Sequence, residues 1–196
     1  MIAAVLALAL AAPAATDAPA VTAEALRARH GGVRRLTADV VQVKEGKYWA
    51  RPFESRVALR YTPERVEWET LAPVRALAVI QGDALWLVGQ DGARRDLGPA
   101  AGDPKLAAIL RFVRALLAVD LDGIARDFVL TYGPGAVTAT PRPGSDLGLF
   151  RAVRLRFAPD LEIVSVELET ADEKTRLTFE RVHRERAPAA APAPAP

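Results

Sequence analysis

Cysteine is absent from the 196-residue chain, which excludes disulfides, thiolate metal ligands, cysteine nucleophiles and an acylated cysteine. Histidine occurs only as His30 and His183, serine only as Ser55, Ser145 and Ser165. So few nucleophiles and bases leave most hydrolytic mechanisms without their parts. The sequence contains no G-x-S-x-G, no H-E-x-x-H and no phosphate-binding glycine loop. His30 and His183 lack metal-ligand spacing and are expected on the surface. Asp120-Leu121-Asp122-Gly123 opens like a calcium loop, but the later ligands are missing. Charge of one sign is not in excess either: 26 Lys+Arg against 24 Asp+Glu give a net charge of +2, which gives no basis for nucleic-acid binding. The expectation is a protein without catalytic residues, metal or cofactor.

What is present is apolar. Hydrophobic residues make up 51%, so the chain as a whole is not disordered, and its length suits one domain with a proper core. The apolar run MIAAVLALALAA from Met1 to Ala12 carries no charge and is shorter than the roughly 20 apolar residues a bilayer span requires. Small-residue sites follow it at Ala12-Pro13-Ala14 and Ala18-Pro19-Ala20. Residues 1–20 therefore read as a cleaved signal peptide and predict an exported, periplasmic, soluble product; a buried N-terminal helix is the alternative. At the other end, APAAAPAPAP from Ala187 to Pro196 can form neither helix nor ladder. Residues 185–196 are expected to be a disordered Ala/Pro tail, leaving a single domain over 21–184.

Within that domain, Thr22 can cap a short helix that ends at Gly31-Gly32. Phe53, Ser55, Val57, Leu59 and Tyr61 then alternate with Glu54, Arg56, Ala58 and Arg60, the period of a half-buried strand. After the Thr62-Pro63-Glu64 turn, Val66, Trp68 and Thr70 alternate with Arg65, Glu67 and Glu69. RALAVI, ALWLV and ARRDL follow, separated by Gln81-Gly82-Asp83 and Gln90-Asp91-Gly92, as in an antiparallel meander. One helix interrupts it. Asp103 can cap it and Pro104 suits its first position. Leu106, Ile109, Leu110, Val113, Leu116 and Leu117 follow the i, i+3, i+4, i+7 pattern over 103–119. Strands then resume to the end of the domain, giving ten or eleven in all with two or three helices.

Strands with one dry and one charged face curl around the dry side. The apolar stripe of an inserted helix is best buried on the concave side of such a sheet. The fold class expected is therefore mainly β with an α lid: a single-domain, unclosed antiparallel β half-barrel of about 11 strands covered by helices. If its interior is filled, it is a core. If not, it is a cavity suited to a hydrocarbon.

The segment PERVEWETLAPVRALAVIQGDALWLV, with Pro63, Trp68, Pro73, Gly82, Asp83 and Trp86, is similar to the signature stretch of the outer-membrane lipoprotein carrier (LolA) family. LTADVVQ with Gln42, the apolar helix and DLDGIARDF also fall in the family's order, and the similarity covers about residues 22–182. The resemblance implies a carrier that binds acyl chains of lipoproteins and moves them from the inner to the outer membrane. Its partners would be an inner-membrane release complex and an outer-membrane receptor, and it would act as a monomer. Related proteins carry a non-protein acyl lipid or glycolipid, or serve as lipid-sensing regulatory domains.

The ligand-binding residues expected for the acyl cavity and lid are Leu59, Val66, Trp68, Trp86, Leu106, Ile109, Leu110, Val113 and Leu117. The family places a basic residue that holds the lid immediately before the first proline. Here that position is Thr62, and Arg60 is the lid-holding candidate. An enzyme on the same scaffold would have to use Glu54, Glu67 and Glu69, whose alternation with the dry face turns them to solvent.

Overall fold

The alternation in the strands sets the architecture. In the computed structural model, which describes residues 21–99 and 102–187, Ser55, Val57, Leu59 and Tyr61 are buried while Glu54, Arg56 and Arg60 are exposed. The same rule, one face dry and the other charged, holds along β1 (Val33–Gly46), β2 (Phe53–Tyr61) and β3 (Arg65–Ala72). These are followed by β4 (Ala76–Gln81), β5 (Ala84–Val88) and β6 (Arg94–Pro99). After the helical segment come β7 (Phe128–Gly133), β8 (Ala136–Pro141), β9 (Phe150–Phe157), β10 (Ile163–Thr170) and β11 (Glu173–Arg186).

All eleven strands form one antiparallel sheet in the order β6-β5-β4-β3-β2-β1-β11-β10-β9-β8-β7. Two meanders are thus fused where β1 pairs with β11, and the edge strands β6 and β7 do not pair with each other. The half-barrel is open on that side, as the sequence leads one to expect. Gly46, at φ 148°, closes the far end of β1 against the β10–β11 turn; a Cβ there would lie 2.2 Å from the Asp172 carbonyl oxygen. Only glycine allows that approach.

Among the described residues three helices join the sheet: α1 (Ala23–His30), α2 (Pro104–Ala118) and α3 (Leu121–Ala125). Thr22 caps α1, its hydroxyl accepting from the Ala25 N–H at 3.2 Å. Asp103 caps α2 through the N–H groups of Lys105 (2.9 Å) and Leu106 (3.1 Å), with Pro104 in the first turn. Val119 ends α2 in the left-handed region at φ 54°. The helix read over 103–119 is therefore α2 together with its two caps. It lies in the connection between the two edge strands, and its apolar stripe packs onto the concave face of the sheet.

One sequence expectation is corrected here. His30 is not on the surface; it is 2% exposed, whereas His183 is exposed. α1 closes one end of the sheet, and His30 meets the Leu161 carbonyl at 2.8 Å and the Phe157 ring at 6.1 Å. A neutral imidazole bonded that way donates from Nε2, which leaves Nδ1 as a buried acceptor without a hydrogen-bond partner among the described residues. The tail expected from residue 185 begins later: Glu185 and Arg186 pair with Arg35 and Val33 as the last residues of β11. The signal-peptide reading of residues 1–20 lies outside the described residues, as do positions 188–196 of the Ala/Pro tail.

Candidate functional site

Between α2 and the concave face the sheet is hollow. A cavity of about 320 Å³ opens there, and every side chain lining it is apolar except Gln42. Six of the nine expected residues meet in it: Val66 and Trp68 from β3, and Ile109, Leu110, Val113 and Leu117 from α2. The spacing of the α2 residues puts them on one stripe, and Val66 and Trp68, two apart on a strand, share a face. Ala78, Ile80 and Leu85 continue the wall on β4 and β5, while Phe150, Leu168 and Leu177 close it from the other meander. Residues of this second wall stand more than eighty positions after Trp68, and only the pairing of β1 with β11 brings them opposite it.

Three expected residues lie elsewhere. Leu59 is 1% exposed and packed between Ala38 and Trp68 on neighbouring strands, so it is filled core. Leu106 packs against the core from the first turn of α2, away from the cavity. Trp86 is on the outer face. Leu85 takes the inward position on β5, and the Trp86 ring instead lies between the guanidinium groups of Arg65 (5.6 Å) and Arg94 (4.3 Å), opposite Val79. Such cation–π contacts need the outer, charged side of the sheet.

Arg60 does not hold the helix. It leaves β2 on the outer face and pairs with Glu67 at 3.1 Å and Glu69 at 3.5 Å. Those two carboxylates are further occupied by Arg65 and Arg75, at 2.8 and 2.7 Å. The hydrogen bond from Arg65 is the main reason that Glu67 titrates below the ordinary carboxylate range, and that from Arg75 does the same for Glu69. Glu54 is exposed on the same face. None of the three carboxylates faces the cavity.

What ties α2 to the sheet comes from the helix instead. Arg114, just off the apolar stripe, donates from Nη2 to the Gly82 carbonyl in the β4–β5 turn. On the opposite flank Phe112 packs into an aromatic cluster, its ring centroid 4.8 Å from Phe128 and 5.6 Å from Phe150. Among the described residues, one side of α2 is therefore held by a single side-chain hydrogen bond and the other by the packing of Phe112 on two rings. In this closed arrangement Leu110, Phe112, Leu116 and Leu117 are all 5% exposed or less. An apolar hollow under a helix with one weak flank can hold a hydrocarbon; among its lining residues it has no acid, base or nucleophile.

The chain is 25% identical over 124 residues to the outer-membrane lipoprotein carrier protein of Coxiella burnetii (strain CbuK_Q154), a match covering 61% of this chain and 56% of that protein. The chain is similar to the outer-membrane lipoprotein carriers. It spans little more than half the length of the curated relative it matches. No protein-family model matches the sequence. Among solved structures, a LolA superfamily protein from Nitrosomonas europaea superposes with a TM-score of 0.43 and 11% identity, over 86% of this chain and 96% of that one. The Mycobacterium tuberculosis lipoprotein LppX does so with a TM-score of 0.44 and 15% identity, over 82% and 96%. No helix among the described residues is long and apolar enough to cross a membrane.

Proposed function

We propose that this protein is a periplasmic, non-catalytic carrier that takes the acyl chains of lipoproteins into the cavity beneath α2 and moves them from the inner to the outer membrane. Residues 1–20 would be its cleaved signal peptide and 21–186 the carrier domain, ending with β11, followed by a tail. An inner-membrane release complex would load it and an outer-membrane receptor unload it, one copy of the chain serving each cargo molecule. The observation that carries this reading is the apolar hollow between sheet and helix, and the similarity to a lipoprotein carrier supports it.

The physical need is plain. Leaving water is worth ~0.8 kcal/mol per methylene, or about 12 kcal/mol for a sixteen-carbon chain. Transit between membranes without a dry surface is correspondingly slow. Val66, Trp68, Ile109, Leu110, Val113 and Leu117 would form that surface, with α2 as its cover. A volume of about 320 Å³ is near the lower end of the roughly 300–1,000 Å³ range of small-molecule sites. That size favours a second reading, in which the cargo is a non-protein acyl lipid presenting one chain at a time.

Native mass spectrometry of the gently extracted protein separates the two readings: a co-purifying acylated protein supports the first, an acyl lipid the second. Leu110→Glu sets an unpaired carboxylate against the apolar wall and is expected to abolish binding of a fluorescent fatty-acyl probe while far-UV circular dichroism still shows the sheet. Undiminished probe affinity in that variant defeats the proposal.

A further inference from the structure

Gln42 is the one polar side chain in the cavity wall, and it makes no side-chain hydrogen bond to any described residue. A primary amide carries two donors and a carbonyl acceptor, and at this half-buried position they are available to a molecule in the cavity. Two residues further along β1, on the same face and about 7 Å away by strand rise, is Lys44. Its cross-strand neighbours are Phe53 and Thr175, and Thr175 in turn lies opposite Leu168, which lines the cavity. The end of the hollow toward the β1–β2 hairpin therefore changes from hydrocarbon to polar groups within one pleat.

The ion pair at this rim is a loose one, Lys44 with Glu173 at 3.9 Å. Glu173 accepts from the Trp49 indole N–H at 2.8 Å and from the Thr175 hydroxyl at 3.0 Å. Trp49 is held by stacking on Phe53 at 4.7 Å. The Lys44 ammonium is 3.9 Å from Glu173, beyond hydrogen-bond length, and makes no side-chain hydrogen bond among the described residues. Glu173 thus accepts its hydrogen bonds from other donors, while the Lys44 ammonium, ion-paired to it at 3.9 Å, and the Gln42 amide keep N–H groups to give, two residues apart on the same face of β1.

We propose, on the reading that the cavity holds acyl chains, that Gln42 and Lys44 form a head-group subsite that donates hydrogen bonds to the carbonyl or carboxylate oxygen of the acyl group, with the chain running inward toward Trp68 and Leu117. The subsite fixes which end of the ligand enters first. It distinguishes an acyl group from a plain hydrocarbon. Its chemistry is shared by a free fatty acid, whose carboxylate is charged, and by an acyl chain in ester or amide linkage, whose carbonyl is neutral.

The test is competition for a fluorescent fatty-acyl probe by three twelve-carbon ligands (dodecanoic acid, methyl dodecanoate and dodecane) on the full chain and its Gln42→Leu, Lys44→Met and double variants. The acid and the ester are expected to outcompete dodecane by about fivefold or more, as a charge-assisted or neutral hydrogen bond in a partly dry site implies. The double variant is expected to lose that advantage while still binding the probe and dodecane. A loss confined to the acid in Lys44→Met marks a free fatty acid as the matching ligand, and equal losses for acid and ester mark a linked acyl group. If all three ligands compete equally in the native protein, or the preference survives in the double variant, the subsite is wrong although the carrier reading stands. If the native protein does not bind the probe at all, both fall. Lys47→Met, one hairpin position outward and paired with Asp172 at 2.7 Å, is the control and should change nothing.

Discussion

Replacing Arg114 by alanine isolates the contact that holds the free flank of α2. The guanidinium donates to the Gly82 carbonyl, and Gly82 is exposed, so water can take the vacated acceptor and no buried group is orphaned. A hydrogen bond from a charged donor is worth about 1.5–3 kcal/mol when dry, and solvent exposure reduces this to about 1 kcal/mol. If the bond exists only in the closed state, its loss raises the open fraction about fivefold, and the apparent dissociation constant for a ligand that needs the open state falls by the same factor. Stopped-flow mixing with a fluorescent fatty-acyl probe reads this directly: association should quicken about fivefold in Arg114→Ala and remain near native in Arg60→Ala, whose side chain is on the outer face. Because about 1 kcal/mol corresponds to roughly 2–4 °C in a domain of this size, Tm should fall by no more than that. Equal association rates for native and Arg114→Ala proteins would refute the idea that this contact restrains the helix.

Two further predictions follow from which side of the sheet a residue occupies and from the buried histidine. A brominated fatty acid should quench the fluorescence of Trp68, which lines the cavity, and leave Trp86 unaffected; Trp68→Phe should therefore remove most of the quenching, and quenching that is lost in Trp86→Phe instead would reverse the assignment. His30 is lowered to about 4, first by burial and then by the neighbouring Arg184 guanidinium, with Arg29 adding to it and Glu162 and the Leu161 carbonyl opposing. The unfolded chain, with an ordinary value near 6.5, binds more protons between those limits, so stability is full above about pH 6.5 and declines as pH falls toward 4. At ~1.36 kcal/mol per pH unit the loss is at most about 3 kcal/mol. Urea midpoints measured between pH 7 and 4.5 should show this decline, and His30→Phe should flatten it; an unchanged slope in that variant would place the acid sensitivity elsewhere.

The fold was legible because its two periodicities are clean. Period-two runs such as Phe53 to Tyr61 need one dry face, and the six-residue stripe from Leu106 to Leu117 needs a surface to cover. Those two facts also place Val66, Trp68, Ile109, Leu110, Val113 and Leu117 together. The failures are equally physical. ALWLV is an uninterrupted apolar run, so alternation gives no sign of which residues turn inward; the register with β4, which sets Trp86 opposite Val79, decides it. Arg60 shares the parity of Thr62, yet that parity leads to the outer face, where Glu67 and Glu69 supply better partners than a helix end. The burial of His30 depends on Leu161, 131 residues away, on a helix whose own sequence is only weakly amphipathic. Arg114 lies off the apolar stripe, and nothing local reveals that the β4–β5 turn is within its reach.

Stability measurements without any ligand can decide whether the space under α2 is hollow. Leu155 and Leu110 are the same residue type and equally hidden from water, at 0% and 3% exposure, but Leu155 is packed in the core while Leu110 borders the cavity. Removing a leucine side chain costs its transfer free energy plus a term for the void left behind, about 2–5 kcal/mol in all. A side chain already facing empty space has forgone the dispersion contacts on that side, so less remains to be lost when it is cut back. Leu155→Ala is therefore expected near the upper end of that range and Leu110→Ala near the lower, a gap of about 2 kcal/mol that denaturant titration resolves. Saturating the native protein with a fatty acid should narrow the gap, because the ligand supplies the contacts that Leu110 lacks. Equal losses at the two positions in ligand-free protein would mean that helix and sheet meet in a filled core, with no room for a chain between them.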